Sequence, residues 1–97
     1  GRADDVAIMM FTEFGRRVEE NASLGTDHGT ATPMFVVGSG VRGGLHGRHP
    51  SLTDLDDGNL KMTTDFRRVY ATVLKEVFGM DPAALLGRKF EKLPLFA

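Results

Sequence analysis

Six consecutive apolar residues, Val6 to Phe11, follow the polar stretch Arg2-Ala3-Asp4-Asp5 and set the strongest limit on what this chain can become. A run that is continuously rather than alternately hydrophobic predicts a strand buried on both faces, as in a parallel sheet covered by helices, and it is too short for a helix. A second run, Pro33-Met34-Phe35-Val36-Val37, ends in Gly38-Ser39-Gly40 and predicts a second buried strand. Such a pair alone leaves unpaired edges. The expected class is therefore α/β, with two or more buried, mostly parallel strands whose neighbours come from a missing part of a longer parent chain or from a homo-oligomer. At 97 residues the chain is at most one small domain that buries roughly 60–65% of its unfolded surface. It begins at Gly1 rather than Met, which fits a processed or excised piece.

Between the two runs lies Gly25-Thr26-Asp27-His28-Gly29-Thr30, a carboxylate beside an imidazole with glycine on both sides. Glycine permits positive φ and close approach of a ligand to the backbone. The Asp27-His28 pair offers oxygen and nitrogen donors suited to zinc or manganese; the alternative is a surface turn in which Asp27 makes an Asx-turn. The first strand runs into Thr12-Glu13-Phe14-Gly15-Arg16-Arg17, and the C-terminal ends of parallel strands are where open α/β sheets hold ligands. Glu13 is thus a candidate metal ligand or acid/base, and Arg16 or Arg17 a candidate anion clamp. The competing reading pairs Glu13 with a nearby arginine and leaves both arginines solvated. Residues Val18 to Leu24 read as a polar excursion into the Asp-His loop.

Downstream, Val41 to Pro50 is too glycine-rich for a regular element, and its His46 and His49 are read as exposed rather than as ligands. The segment Asp54-Leu55-Asp56-Asp57-Gly58-Asn59 lacks the register of a calcium loop and reads as an acidic turn. Thr63-Thr64-Asp65 opens the clearest helix, with a threonine cap and an acidic first turn. Its apolar positions Phe66, Val69, Tyr70, Val73, Leu74, Val77 and Phe78 fall three or four apart and predict one long amphipathic helix with a core-facing stripe. Gly79 supplies its stop, and Asp81-Pro82 begins a short helical turn through Leu86. The tail Phe90 to Phe96 is expected to pack back on the body or on another segment.

Charge narrows the partners. Twelve basic against thirteen acidic residues leave no excess to neutralise phosphates, so nucleic acid is not expected as a partner. No apolar run approaches the roughly 18 residues of a membrane helix, and no membrane partner is expected. The absence of cysteine removes disulfides, thiolate metal sites and cysteine nucleophiles.

The strings Phe11-Thr12-Glu13-Phe14-Gly15-Arg16, Gly25-Thr26-Asp27-His28-Gly29-Thr30-Ala31, Pro33-Met34-Phe35-Val36, Leu52-Thr53-Asp54-Leu55 and Thr64-Asp65-Phe66-Arg67 resemble the C-terminal end of the bacterial family called domain of unknown function 1501. The resemblance spans nearly the whole chain and makes residues 1–97 a single C-terminal portion of a larger α/β domain. That family in turn resembles the alkaline phosphatase and sulfatase superfamily. The resemblance implies a fragment of an α/β/α sandwich, a divalent metal, a small phosphate or sulfate ester as substrate, and a periplasmic or other extracytoplasmic home. Val6 to Phe11 then resembles a strand that ends in Asp-His in the superfamily, with Glu13-Phe14 standing at that place; Glu13 keeps an oxygen ligand, whereas Phe14 cannot replace an imidazole. His28 resembles a later histidine ligand, and Asp27 is a second oxygen donor or the partner that orients the ring. The implied function is a metal-ligand and anion-binding part of a hydrolase that is inactive on its own, since the superfamily's nucleophile lies in the N-terminal part. The alternative is a noncatalytic binding or scaffold domain that has lost the metal.

Overall fold

A computed structural model describes residues 2–97. After a 3-10 turn at Ala3–Asp5 come β1 (Ala7–Met10), β2 (Gly15–Glu20), β3 (Thr26–Gly29), β4 (Phe35–Gly38), β5 (Leu55–Asp56), β6 (Asn59–Leu60), α1 (Phe66–Glu76) and α2 (Pro82–Leu86). The chain divides into two compact units. One comprises the residues up to Ile8, Val37–His46 and Thr64–Ala97; the other comprises Met9–Val36 and Gly47–Thr63.

These elements overturn the expected α/β/α sandwich fragment. The strands form three separate two-stranded sheets, β1 with β4, β2 with β3, and β5 with β6. The last two pairs are antiparallel. Gly38 at the end of β4 lies against Val6 and Ala7 at the start of β1, so that pair also runs antiparallel. Parallel strands need a crossover long enough for a helix to cover the sheet. Here the connection from β1 to β4 folds into the β2–β3 hairpin instead. Burial along β1 alternates, and Ile8 and Met10 remain more than half exposed, as do Phe35 and Val37 on β4. Neither run is a strand buried on both faces.

The expected long amphipathic helix is also shorter and less buried than its stripe suggests. α1 has 11 residues, and its buried positions are Val69, Ala71 and Thr72. Phe66, Val77 and Phe78 from the predicted stripe stay exposed. Its cap is Asp65 rather than a threonine: the carboxylate accepts the Arg67 backbone N–H at 2.9 Å. The helix ends where the Gly79 N–H donates to the Lys75 carbonyl and the Met80 N–H to that of Leu74, with Gly79 at φ 64°. This doubled return pattern needs a left-handed residue, and glycine adopts it without strain. α2 starts on an Asp81 cap with Pro82 in its first turn and stops at Gly87 in the left-handed region, as the sequence leads one to expect.

In the unit that contains α1, the C-terminal tail folds back on the helix and on the segment after β4. Thr72, almost fully buried, donates its hydroxyl to the Arg68 carbonyl at 2.7 Å and accepts the Leu93 N–H at 2.8 Å. Leu95 is buried, the Arg42 N–H donates to its carbonyl, and Phe96 forms a bridge with Val41. Arg67 makes a two-pronged ion pair with Asp65 and lies 4.6 Å over the Phe90 ring. In the other unit, β5 and β6 are joined by Asp57-Gly58, both at positive φ. This is the two-residue turn whose twist matches antiparallel strands, so the acidic segment is a hairpin rather than a cation loop.

Candidate anion-binding site

The Asp-His segment is a strand rather than a loop. β3 pairs with β2 in the register Gly15 opposite Gly29 and Arg16 opposite His28, followed by an irregularity before Glu20 meets Thr26. The flanking glycine acts through close approach and not through positive φ. A Cβ on Gly29 would sit 2.7 Å from the carbonyl carbon of Arg16, and one on Gly15 would collide with the backbone of Ala31. The left-handed residue in the turn is Leu24, at φ 63°. Asn21 closes that turn: its Oδ1 accepts the backbone N–H groups of Ser23 and Gly25 at 2.9 and 3.1 Å.

Directly cross-strand residues share a face, so the register brings Arg16 beside His28. The Phe14 ring stacks flat on the imidazole, with centroids 3.7 Å apart and planes inclined by 9°. The Arg16 guanidinium carbon lies 5.4 Å from the same Phe14 centroid, while its Nη1 donates to the Thr26 carbonyl at 2.7 Å. Both Arg16 and His28 are exposed, and neither imidazole nitrogen has a hydrogen-bond partner among the described residues. A guanidinium carries five N–H donors, so Arg16 keeps donors to offer after bonding Thr26. The result is an open hairpin face that carries a cation and an imidazole at directly paired positions, each in contact with the same aromatic ring.

The other predicted site residues are placed elsewhere. Arg17 is turned away from Arg16 by the alternation of the strand; its Nη2 donates to the Asp57 carbonyl at 2.7 Å and its guanidinium covers Gly58. Asp27 alternates away from His28 in the same way, and its Oδ1 accepts the Asn21 side-chain amide at 2.9 Å. Glu13 is exposed in the bend before β2 and forms no hydrogen bond or ion pair among the described residues. His46 and His49 are exposed, with Nε2 of the first bonded to the Arg42 carbonyl and Nδ1 of the second to that of Pro50. Among the described residues no group of three or more His, Asp or Glu is placed to hold a metal ion. His28, Glu13 and Asp27 therefore do not make a metal cage by themselves.

Two contributors escaped the sequence reading. Phe14 reads only as the residue that replaces an imidazole, yet it is the ring on which His28 rests. Asn21 falls in the polar excursion, yet it holds both the turn and Asp27. Asn21 carried a local signal, an Asx side chain preceding a short turn. Phe14 carried none, because its meeting with His28 depends on the pairing of two strands.

A family model described as "Protein of unknown function (DUF1501)" matches residues 1–93. No curated protein and no solved structure matches the chain.

Proposed function

The chain belongs to the DUF1501 family, and from that premise we propose that it is an oxyanion-binding, noncatalytic part of its parent protein, with the β2–β3 hairpin presenting Arg16 and His28 to a phosphate- or sulfate-type group. The observation that carries this reading is the cross-strand pairing of Arg16 with His28 beside the Phe14 ring. Guanidinium groups match tetrahedral oxyanions with two parallel N–H bonds, and such charge-assisted bonds are about twice as strong as neutral ones. Arg16 is the clamp and Arg17 a latch on the β5–β6 turn, because only Arg16 has an unengaged side on the face of His28.

The test is a calorimetric titration of inorganic phosphate and of sulfate into the 97-residue chain and into Arg16→Ala. Saturable binding weakened by about tenfold or more in the variant, and weakened further by added salt, is the expected outcome. Equal binding by both proteins, or none by either, would sink the proposal.

A second reading makes the same face part of a metal-dependent hydrolase of phosphate or sulfate esters, with His28 as one ligand. The two unengaged ring nitrogens of His28 favour it. The remaining ligands would have to come from outside this chain, from a second copy or another polypeptide segment. Saturable zinc or manganese binding that disappears in His28→Ala would move the conclusion to this reading.

A further inference from the structure

We infer that Phe14 is the positioning residue of this oxyanion site: it holds the imidazole plane of His28 and backs the Arg16 guanidinium, so that both present their N–H edges to one ligand. The inference rests on the anion-binding reading above and adds the residue that makes the two groups act together.

Three observations converge on Phe14. Its ring covers one face of His28 in parallel contact, which restrains the imidazole about its side-chain bonds and leaves the ring nitrogens at its open edge. The same ring lies under the Arg16 guanidinium at cation–π distance, which orders a long side chain that would otherwise sample many rotamers. The ring is itself placed by its neighbour: Gly15 is buried, and its backbone is pressed against Ala31 too closely for any side chain. Phe14 thus enters β2 from a fixed point. Binding an oxyanion between two exposed side chains otherwise incurs the ordering cost of both, and a group that orders them beforehand raises affinity without touching the ligand.

The experiment is a proton NMR titration of the wild-type chain, Phe14→Leu and Phe14→Tyr with inorganic phosphate, read at the ring protons of His28. In the free wild type these protons are displaced upfield by the stacked ring; the displacement is lost in Phe14→Leu and kept in Phe14→Tyr. Phosphate affinity falls about threefold to tenfold in Phe14→Leu, the range set by one aromatic pair, and returns in Phe14→Tyr. A merely structural role would not follow aromaticity in both the shift and the affinity. If the wild type binds phosphate and Phe14→Leu binds it equally well, the positioning role is wrong and the anion site stands. If the wild type itself fails to bind, the anion reading fails and takes the inference with it, whatever the ring shift shows.

Discussion

Gly15 and Gly29 face each other across β2 and β3, and the space at each position decides what a methyl group would do there. A side chain at Gly15 meets the Ala31 backbone just past β3, and at Gly29 that of Arg16; in each case backbone, not a flexible side chain, would have to move. We expect Gly15→Ala to destabilise the chain by about 3 kcal/mol. Gly25, whose added Cβ would have nothing nearer than the Asn21 Oδ1 at 4.0 Å, should accept alanine within about 0.5 kcal/mol. Urea unfolding midpoints of the two variants check the contrast; similar shifts would mean that the glycine pairing is not a close approach. At this scale the sequence was partly legible. It marked the Gly-Thr-Asp-His-Gly string, and the chemistry of Arg16 and His28, but strand alternation separates Asp27 from His28 and Arg17 from Arg16. Neighbours in sequence became strangers in space, and Phe14 and His28, fourteen positions apart by number, became neighbours.

At the scale of elements, α1 depends on a charged cap and a buried hydroxyl. The Asp65 carboxyl is held down at about 2, first by the Arg67 guanidinium that bonds it and next by the Arg67 backbone N–H. A carboxyl depressed in the folded state adds stability that is complete above about pH 4, its unfolded value, and is lost as pH falls through 2. Asp65→Asn keeps a capping oxygen but not the charge. The stability gap between wild type and this variant should therefore be largest above pH 4 and close towards pH 2 in acid titrations followed by circular dichroism; a gap that stays constant would remove the ion pair from the explanation. Thr72→Val keeps the shape of the side chain and leaves the Leu93 N–H without its acceptor, at a cost of about 1–3 kcal/mol. Amide exchange should show Leu93 losing protection in this variant ahead of the residues of β2 and β3. The helix itself was legible from its period and its glycine stop, as was the Asp81-Pro82 turn. Its length and its buried face were not, because a stripe of apolar residues does not say which of them will find a partner.

Across the whole molecule, Val69, Ala71 and Leu95 are the buried hydrophobic residues among those described, while Phe11, Leu24, Leu45, Met62 and Phe78 are each more than 60% exposed. Exposed apolar groups on this scale leave a small chain with little burial to set against conformational entropy. The isolated chain should bind a hydrophobic dye such as ANS at neutral pH without denaturant; no rise in fluorescence would mean that these side chains are covered in solution. The family itself was legible, since the separated strings around Glu13, His28, Met34 and Asp65 occur in one chain and the match runs over residues 1–93. The Asp81-Pro82 turn, the glycine stop after α1 and the chemistry of single side chains were set by the sequence alone, because each depends on residues within a few positions. The pairing of strands was decided only by tertiary structure. A continuous apolar run satisfies a buried parallel strand and a half-exposed antiparallel one equally well, and only the fold of the intervening segment into the β2–β3 hairpin chose the second.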